Sequence, residues 1–451
     1  MQIVIVGAGT VGFDLAVQLQ RAQHDVSLVE HDPQRCASIR EKLDILVVEG
    51  SGSSPSALDG AGLREAQMVL AVTSVDEVNI LVCGLAKQWG VESRIARIRS
   101  REFSGRSTKV DMQKLGITQF IDPERLSVRI IDQIAMIPDV EEVFSYHDGE
   151  VLIVRHVMKE AMPIIGHTLA EAIQMAGTHR LLAVALRREG ETRIPTGADV
   201  FKPGDDFTTV IPRASLPKYM EFLGLAGRRV RKAVIAGDGR TAILLCDALK
   251  SWVEDVTLVD PDQAHGLRAA ENLGGVEVIH GDPTERDVLR EVNVAGSDIF
   301  VGAGRATTPN VMSALLARSE GTPKVAAISY EPQSNRLFRE IGVQHVVSPR
   351  RAVAREIMDL IHRGRMSMEL QLRDLDIESI EILAEPGSKI TSGPLRKVWQ
   401  TFRSKAIAGA VVHEGVPLIP GGDTRIKEGD SVIVVTQPKS ARKIEKLFRK
   451  R

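Results

Sequence analysis

Cysteine is nearly absent: Cys36, Cys83 and Cys246 are the only three in 451 residues. Spaced so widely, they make neither a disulfide framework nor a CxxC metal site, which suits a reducing cytoplasm. Neither sign of charge prevails, with 58 Lys and Arg against 59 Asp and Glu and a formal net charge of −1, so no global field draws the chain to nucleic acid or to an anionic membrane. No apolar run reaches the roughly 18 residues that a membrane helix needs. An apolar strand already begins at Met1, which leaves no room for a charged n-region, and a secretory signal is not expected. The sequence also lacks HExxH, GxSxG and a Walker A lysine loop, and its eleven histidines are scattered. They read as surface or satisfied core residues.

What is present begins at the first residue. Met1 to Val6 is a short β-branched run, the signature of a strand buried on both faces. It breaks at Gly7-Ala8-Gly9-Thr10-Val11-Gly12, after which Val11, Leu15, Ala16 and Leu19 recur three or four apart and predict one face of a helix. A second apolar stretch, from Asp25 to Val29, ends in Glu30. Strand, glycine turn, helix, strand and acid make up the dinucleotide-binding fingerprint. Gly7 permits the tight turn, Gly9 lets backbone N–H groups approach a diphosphate, and Gly12 lets the helix pack on the strand. The helix N-terminus favours the anion. Glu30 is placed to accept hydrogen bonds from ribose hydroxyls and to repel a 2′-phosphate.

Strands and helices then alternate as far as Ile121, which predicts a parallel sheet covered on both faces. Thr73-Ser74-Val75-Asp76-Glu77 opens the long helix that follows the fourth strand. Asp76 and Glu77 are read as first-turn acids that favour the helix dipole, as neighbours of the ligand or as part of a subunit contact. Arg97 and Arg99 close a strand at the carboxyl edge, where open α/β folds bind ligands, and can pair with a phosphate or with surface acids. Pro123 opens a crossover helix that Pro138 stops. Three antiparallel strands are predicted at 151–157, 181–186 and 207–211, within a small α+β unit. The basic stretch 227–232 is a linker, and then the organisation starts again. Gly237 follows Gly7 by 230 positions, Asp260 follows Glu30 by 230, Asn310 follows Asn79 by 231 and Pro349 follows Pro123 by 226. The fold class is therefore α/β, with two tandem doubly wound parallel-sheet domains at 1–137 and 233–363, each followed by a small α+β domain, at 138–226 and 364–451. Apolar faces on the two crossover helices, 127–136 and 352–361, exceed what two small domains can cover, and an assembly larger than one chain is expected.

The motifs GAGTVG, LVEHD, TSVDEVN and ARIRSREF in the first copy, GDGRTA, LVDPD and GDPT in the second, and the KPGDD and KEGDS turns resemble the RCK, or KTN, domains that regulate potassium conductance. Their tandem order resembles the cytosolic subunits of Trk-type potassium uptake systems. The resemblance implies a non-catalytic gating ring, a homo-oligomer on the inner face of the cell membrane, that binds NAD(H) or ATP and ADP and acts on a membrane-embedded potassium-translocating subunit of the TrkH type. Carried over by position, Gly7, Gly9, Thr10, Val11, Gly12 and Glu30 hold nucleotide in the first copy, with Ser51, Thr73, Asp76, Glu77, Arg97 and Arg99 around it. Gly237, Gly239, Ala242, Asp260 and Asp282 take the matching places in the second. Two departures stand out: Ser51 where the second copy has Asp282, and Gly302-Ala303-Gly304-Arg305 where the first has Thr73 to Asp76. The alternative is an NAD-dependent oxidoreductase on a duplicated scaffold, which the missing substrate domain and proton donor weigh against.

Overall fold

A computed structural model describes residues 1–104, 110–175, 181–362, 367–371, 377–402 and 405–450 of the chain. The first half opens with β1 (Gln2–Val6), β2 (Asp25–Glu30), β3 (Leu46–Glu49), β4 (Met68–Ala71), β5 (Ser93–Arg97) and β6 (Gln119–Ile121). These pair in parallel in the order β3-β2-β1-β4-β5-β6. The order reverses between β1 and β4, and the carboxyl ends of those strands are where folds of this kind place a ligand. Between β5 and β6, Arg101–Ser104 is helical, and 105–109 lies outside the described residues.

A small antiparallel sheet follows, built from β7 (Val140–Tyr146), β8 (Val151–Val157), β9 (Leu182–Arg188), β10 (Glu191–Arg193) and β11 (Asp206–Pro212) in the order β10-β9-β11-β8-β7. Its three central strands match the sequence reading; the edges β7 and β10 were not expected, the first broken by Glu141-Glu142 and the second only three residues long. The second half repeats the plan. Strands β12 (Lys232–Ala236), β13 (Asp255–Asp260), β14 (Glu277–His280), β15 (Ile299–Gly302), β16 (Val325–Ile328) and β17 (His345–Val347) form a parallel sheet ordered β14-β13-β12-β15-β16-β17. Strands β18 (Ser367–Gln371), β19 (Glu378–Leu383), β20 (Ala406–His413), β21 (Val416–Leu418) and β22 (Ser431–Thr436) complete it as β18-β19-β22-β20-β21. The expected domain edge at 363/364 lies outside the described residues.

The crossover helices change places. Helix Pro123–Met136 leaves the first sheet and buries Val128, Ile131, Ile134 and Ala135 in one core with Ala233, Ile235, Leu245 and Leu249 of the second half. Helix Pro349–His362 returns the exchange: Ala352, Val353, Ala354 and Ile357 lie in the core of the first half with Ile3, Ile5, Leu15 and Leu19. At about 2 kcal/mol for each large aliphatic side chain removed from water, this exchange is a major part of what joins the halves. It also corrects the expectation from sequence. Among the described residues, the apolar side chains of both helices, Val128, Ile131, Ile134 and Ala135 of one and Ala352, Val353 and Ile357 of the other, are covered within one chain, so they do not call for a second copy. Lys324 of the second half, buried and with its pKa lowered by that burial to about 8, donates to Ile134 O at 2.9 Å and Ile137 O at 2.8 Å, which caps the visiting helix.

The two small sheets meet face to face, with Tyr146, Ile153, Val184 and Val210 of one against Ala410, Val412, Ile433 and Val435 of the other. The KPGDD and KEGDS turns do the same structural work in both. Asp205 accepts from Lys202 N and pairs with Arg188, both at contacts of 2.7 to 2.8 Å; Asp430 accepts from Lys427 N at 2.8 Å and pairs with His413 at 2.6 Å.

On β8 itself stands His156, fully buried, with Nε2 3.2 Å from Pro138 O and Nδ1 3.2 Å from the Tyr219 hydroxyl. Those partners suit a neutral ring protonated at Nε2. Burial lowers its pKa from 6.5 to about 4. Between these two values the unfolded chain takes up a proton that the folded chain refuses, so stability falls as pH falls through that window, by up to about 3 kcal/mol. Urea unfolding should show this loss between pH 6.5 and 4, and His156→Gln should flatten it; an equally steep loss in the variant would remove His156 as its source.

Candidate functional site

Gly7 has φ +100°, a conformation that only glycine adopts without strain, and a Cβ on Gly12 would stand 1.9 Å from Gly7 O. Both glycines are therefore required by the turn itself. Gly9 is not. Its φ of −59° and ψ of −177° suit any residue, and a Cβ there would meet nothing within 4 Å. As the N-cap of helix Thr10–Arg21 it offers no side chain to the first-turn amides, so Thr10, Val11 and Gly12 present backbone N–H groups toward open space at the positive end of the helix. This is the room a diphosphate would take, and the residues fit one.

Glu30 closes the other side of the turn. Its carboxylate is 2% exposed; Oε2 accepts from Ala8 N at 2.6 Å, and Oε1 accepts from His31 N at 2.9 Å and Asp32 N at 3.0 Å. Three backbone N–H groups thus join the acid, the turn and the start of the next helix, and the fourth acceptor site, which exposed His31 Nδ1 approaches at 2.7 Å, is the one a ribose hydroxyl would take.

Across the cleft the loops after β4 and β5 are tied together by Asn79, a residue that the sequence marked only as a repeat position. Its Oδ1 accepts from Thr73 N at 2.9 Å and its Nδ2 donates to Arg97 O at 2.8 Å. The one signal in the sequence is its repeat as Asn310; that both amides are fully buried is seen only in the structure. Thr73 stands directly behind Gly7, within 3.0 Å of where its Cβ would be. Arg97 is half-buried with Nε lacking a partner, and burial lowers its pKa. Asp76 is an anchor for the chain: Oδ2 accepts from Arg99 N at 2.9 Å and Ser100 N at 2.7 Å. The Arg99 side chain pairs with Glu124 at 2.6 Å. Ser51 bonds Ser53 at 2.8 Å at the end of β3, and Glu77 stands exposed on the first helical turn.

The matching residues of the second half converge on a different arrangement. Gly237 has φ +140°, and a Cβ there would lie 2.2 Å from Gly304 N. At Gly239 a Cβ would be 3.3 Å from Ala303 O and 3.6 Å from Arg305 Cγ. Asp238, in the place of Ala8, accepts from Arg305 N at 3.3 Å and faces its guanidinium at 3.7 Å. Asp260 is fully buried; Oδ1 accepts from Asp262 N at 2.9 Å, and Oδ2 pairs with His265 Nδ1. Asp282 bonds within its own turn, to Thr284 N at 2.8 Å and Thr284 Oγ1 at 2.7 Å. Ala242 lies in the first turn of helix Arg240–Leu249 and is buried.

Each half also reaches the other's helix entry. Arg240, in the place of Thr10, crosses to Asp122 with contacts of 3.1 and 2.7 Å and to Glu124. Arg350 comes back to Asp14 at 3.4 Å and to Thr10 O at 3.4 Å. Glu124 thus touches Arg99 and Arg240 together, between the first cleft and the second half. Among the described residues no group of three or more His, Cys, Asp and Glu could hold a metal, and no helix is long and apolar enough to cross a membrane.

Two dinucleotide-type sheets with exchanged crossover helices, each carrying a small antiparallel domain, define a duplicated nucleotide-binding fold of the RCK class. The chain belongs to the TrkA family: the TrkA-N domain model matches residues 3–123 and 233–349, and the TrkA-C domain model matches 381–449. It is similar to the Trk system potassium uptake protein TrkA of Azorhizobium caulinodans, 28% identical over 454 residues with 100% of this chain and 99% of that one covered. The protein of the same name from Haemophilus influenzae is 26% identical over 452 residues, covering 99% and 98%. Among solved structures, the GsuK RCK domain aligns over 99% of this chain and 94% of its own with a TM-score of 0.62 at 17% identity. The GsuK channel bound to NAD does so over 99% and 78%, also at 0.62 and 17%. At that identity the likeness is one of fold.

Proposed function

We propose that this chain is the nucleotide-binding regulatory subunit of a Trk-type potassium uptake system, holding NAD(H) or ATP/ADP as a ligand and controlling a membrane-embedded potassium-translocating subunit of the TrkH type from the inner face of the membrane. The observation that carries the nucleotide is Gly9, a glycine that neither its backbone angles nor its neighbours require, at the mouth of an open helix N-terminus. Support for the ligand class comes from the neighbour described as bound to NAD and from another described as bound to ADP. Support for the partner comes from the full-length match to proteins named for potassium uptake.

In this reading the amides of Gly9 to Gly12 hold the diphosphate and Glu30 the ribose, while Thr73, Arg97 and Arg99 face the phosphates from across the cleft and Asp76 fixes their loop. The nucleotide is a ligand and not a reactant. It shifts the protein only by binding two arrangements unequally. Arg99 supplies the inequality: drawn to a phosphate, it leaves Glu124, whose other partner is Arg240 of the second half. Exposed Leu81 and Met312, on corresponding helices of the two copies, support assembly into a larger ring.

The test has two arms. Because the buried Glu30 carboxylate repels a 2′-phosphate, NADH should outcompete NADPH by about tenfold or more; equal affinities would take Glu30 out of the ribose role. In cells lacking their own regulatory subunit but retaining the transporter, the chain should restore potassium uptake. Steady oxidation of NADH by the purified protein with a carbonyl substrate would instead favour an oxidoreductase.

A further inference from the structure

We infer that the chain takes one nucleotide and not two: the second glycine turn is closed by the chain's own loop, with the Asp238 carboxylate set against it. This rests on the reading of the first turn as a nucleotide site. The two turns share their first two glycines, a helix and an acid at the end of the next strand, so the difference between them lies in what stands over the second glycine. A diphosphate reaches that glycine from the side where a Cβ would be. In the first copy that side is empty to 4 Å. In the second it holds Ala303 O at 3.3 Å, Arg305 Cγ at 3.6 Å and the Gly304 carbonyl carbon at 3.7 Å.

The loop is held there from behind. Gly304 N donates to Asn310 Oδ1 at 2.7 Å, Gly304 O accepts from Asn310 Nδ2 at 3.0 Å, and the Tyr330 hydroxyl also reaches Gly304 O at 3.3 Å. Gly302 permits the approach, since a Cβ there would stand 2.3 Å from Asn310 O. To admit a ligand the loop would have to give up these bonds, two of them to a buried asparagine, and leave polar groups unpaired. In front, Asp238 bonds Arg305 N and faces its guanidinium, so a negative charge already stands where the first copy has the methyl group of Ala8. A phosphate brought to that position would meet a carboxylate. Glu30 and Asp260 are both buried and paired with a histidine, but the partner of Glu30 is exposed His31 while the partner of Asp260 is His265, itself largely buried. Arg240, the residue nearest the helix start, has turned away to Asp122 and Glu124. The second turn is thus a structural joint, and sensing belongs to the first half.

Equilibrium dialysis of the full chain against NADH, and separately against ADP, measures this directly. One nucleotide per chain is expected for the wild type, and none for Gly9→Val. Two per chain, or one retained by a Gly9→Val protein, overturns the inference while leaving the nucleotide reading intact. None in the wild type overturns both. Should the variant fail to fold, the wild-type stoichiometry still decides between one and two.

Discussion

Gly9→Val is expected to melt where the wild type melts and to lose nucleotide affinity by at least about a hundredfold, or roughly 3 kcal/mol. The two halves of this result have separate causes. Stability is kept because Gly9 sits at φ −59°, ψ −177° and a Cβ there meets nothing within 4 Å. Affinity is lost because the same open volume is the diphosphate seat, which the isopropyl group fills. Gly12→Val is the contrast: with a Cβ placed 1.9 Å from Gly7 O it should unfold the turn, and binding lost there would carry no information about the ligand. Isothermal titration with a parallel thermal melt separates the two. A Gly9→Val protein that binds as tightly as the wild type would remove the nucleotide from this turn.

The second large effect is expected at Arg240. Its guanidinium bonds both oxygens of Asp122, whose side chain is 2% exposed, and also Glu124. Arg240→Ala leaves those carboxylates facing a cavity at the entry of the visiting helix. Breaking a buried pair from one side costs about 3 kcal/mol, more than the pair contributes, because the charge left behind has lost its water. Urea unfolding should show a loss of about that size, and Asp122→Asn in the same chain should recover part of it. Additive losses in that cycle would mean that the two residues do not interact. Arg240→Lys should fall between, since an ammonium keeps the charge without the paired geometry.

Both sheets, both glycine turns, the acids at the ends of β2 and β13 and the small domains were legible in the sequence, because each is written locally. A β-branched run followed by a 3.6-residue period means the same wherever it occurs. The exchange of crossover helices was not legible. The apolar stripe of 127–136 says that one face is buried and does not say against which sheet, and either sheet satisfies it. The closed second turn was hidden for a similar reason. Gly237 and Gly239 keep their spacing whether or not a loop lies over them, and the information sits some 65 residues on, in Gly302-Ala303-Gly304, whose lack of side chains lets the backbone come close. Asp238 in place of Ala8 was the one nearby hint. Asn79 and Asn310 were visible as a repeat, but a buried amide bridging two loops is a fact of three dimensions.

The exchanged helices have the geometry of a two-fold dimer drawn into a single chain. In a true homodimer every residue at such an interface appears twice, so a favourable change must suit both of its settings. Joining the copies removes that bond between them. Arg240 could replace a threonine-like partner on one side, facing Glu124, while on the other side Thr10 stayed and Arg350 took the position that corresponds to Glu124. A symmetric pair could not hold both solutions. One seat could stay vacant for a ligand while its twin hardened into a hinge pin, and each was free to do so without the other's consent.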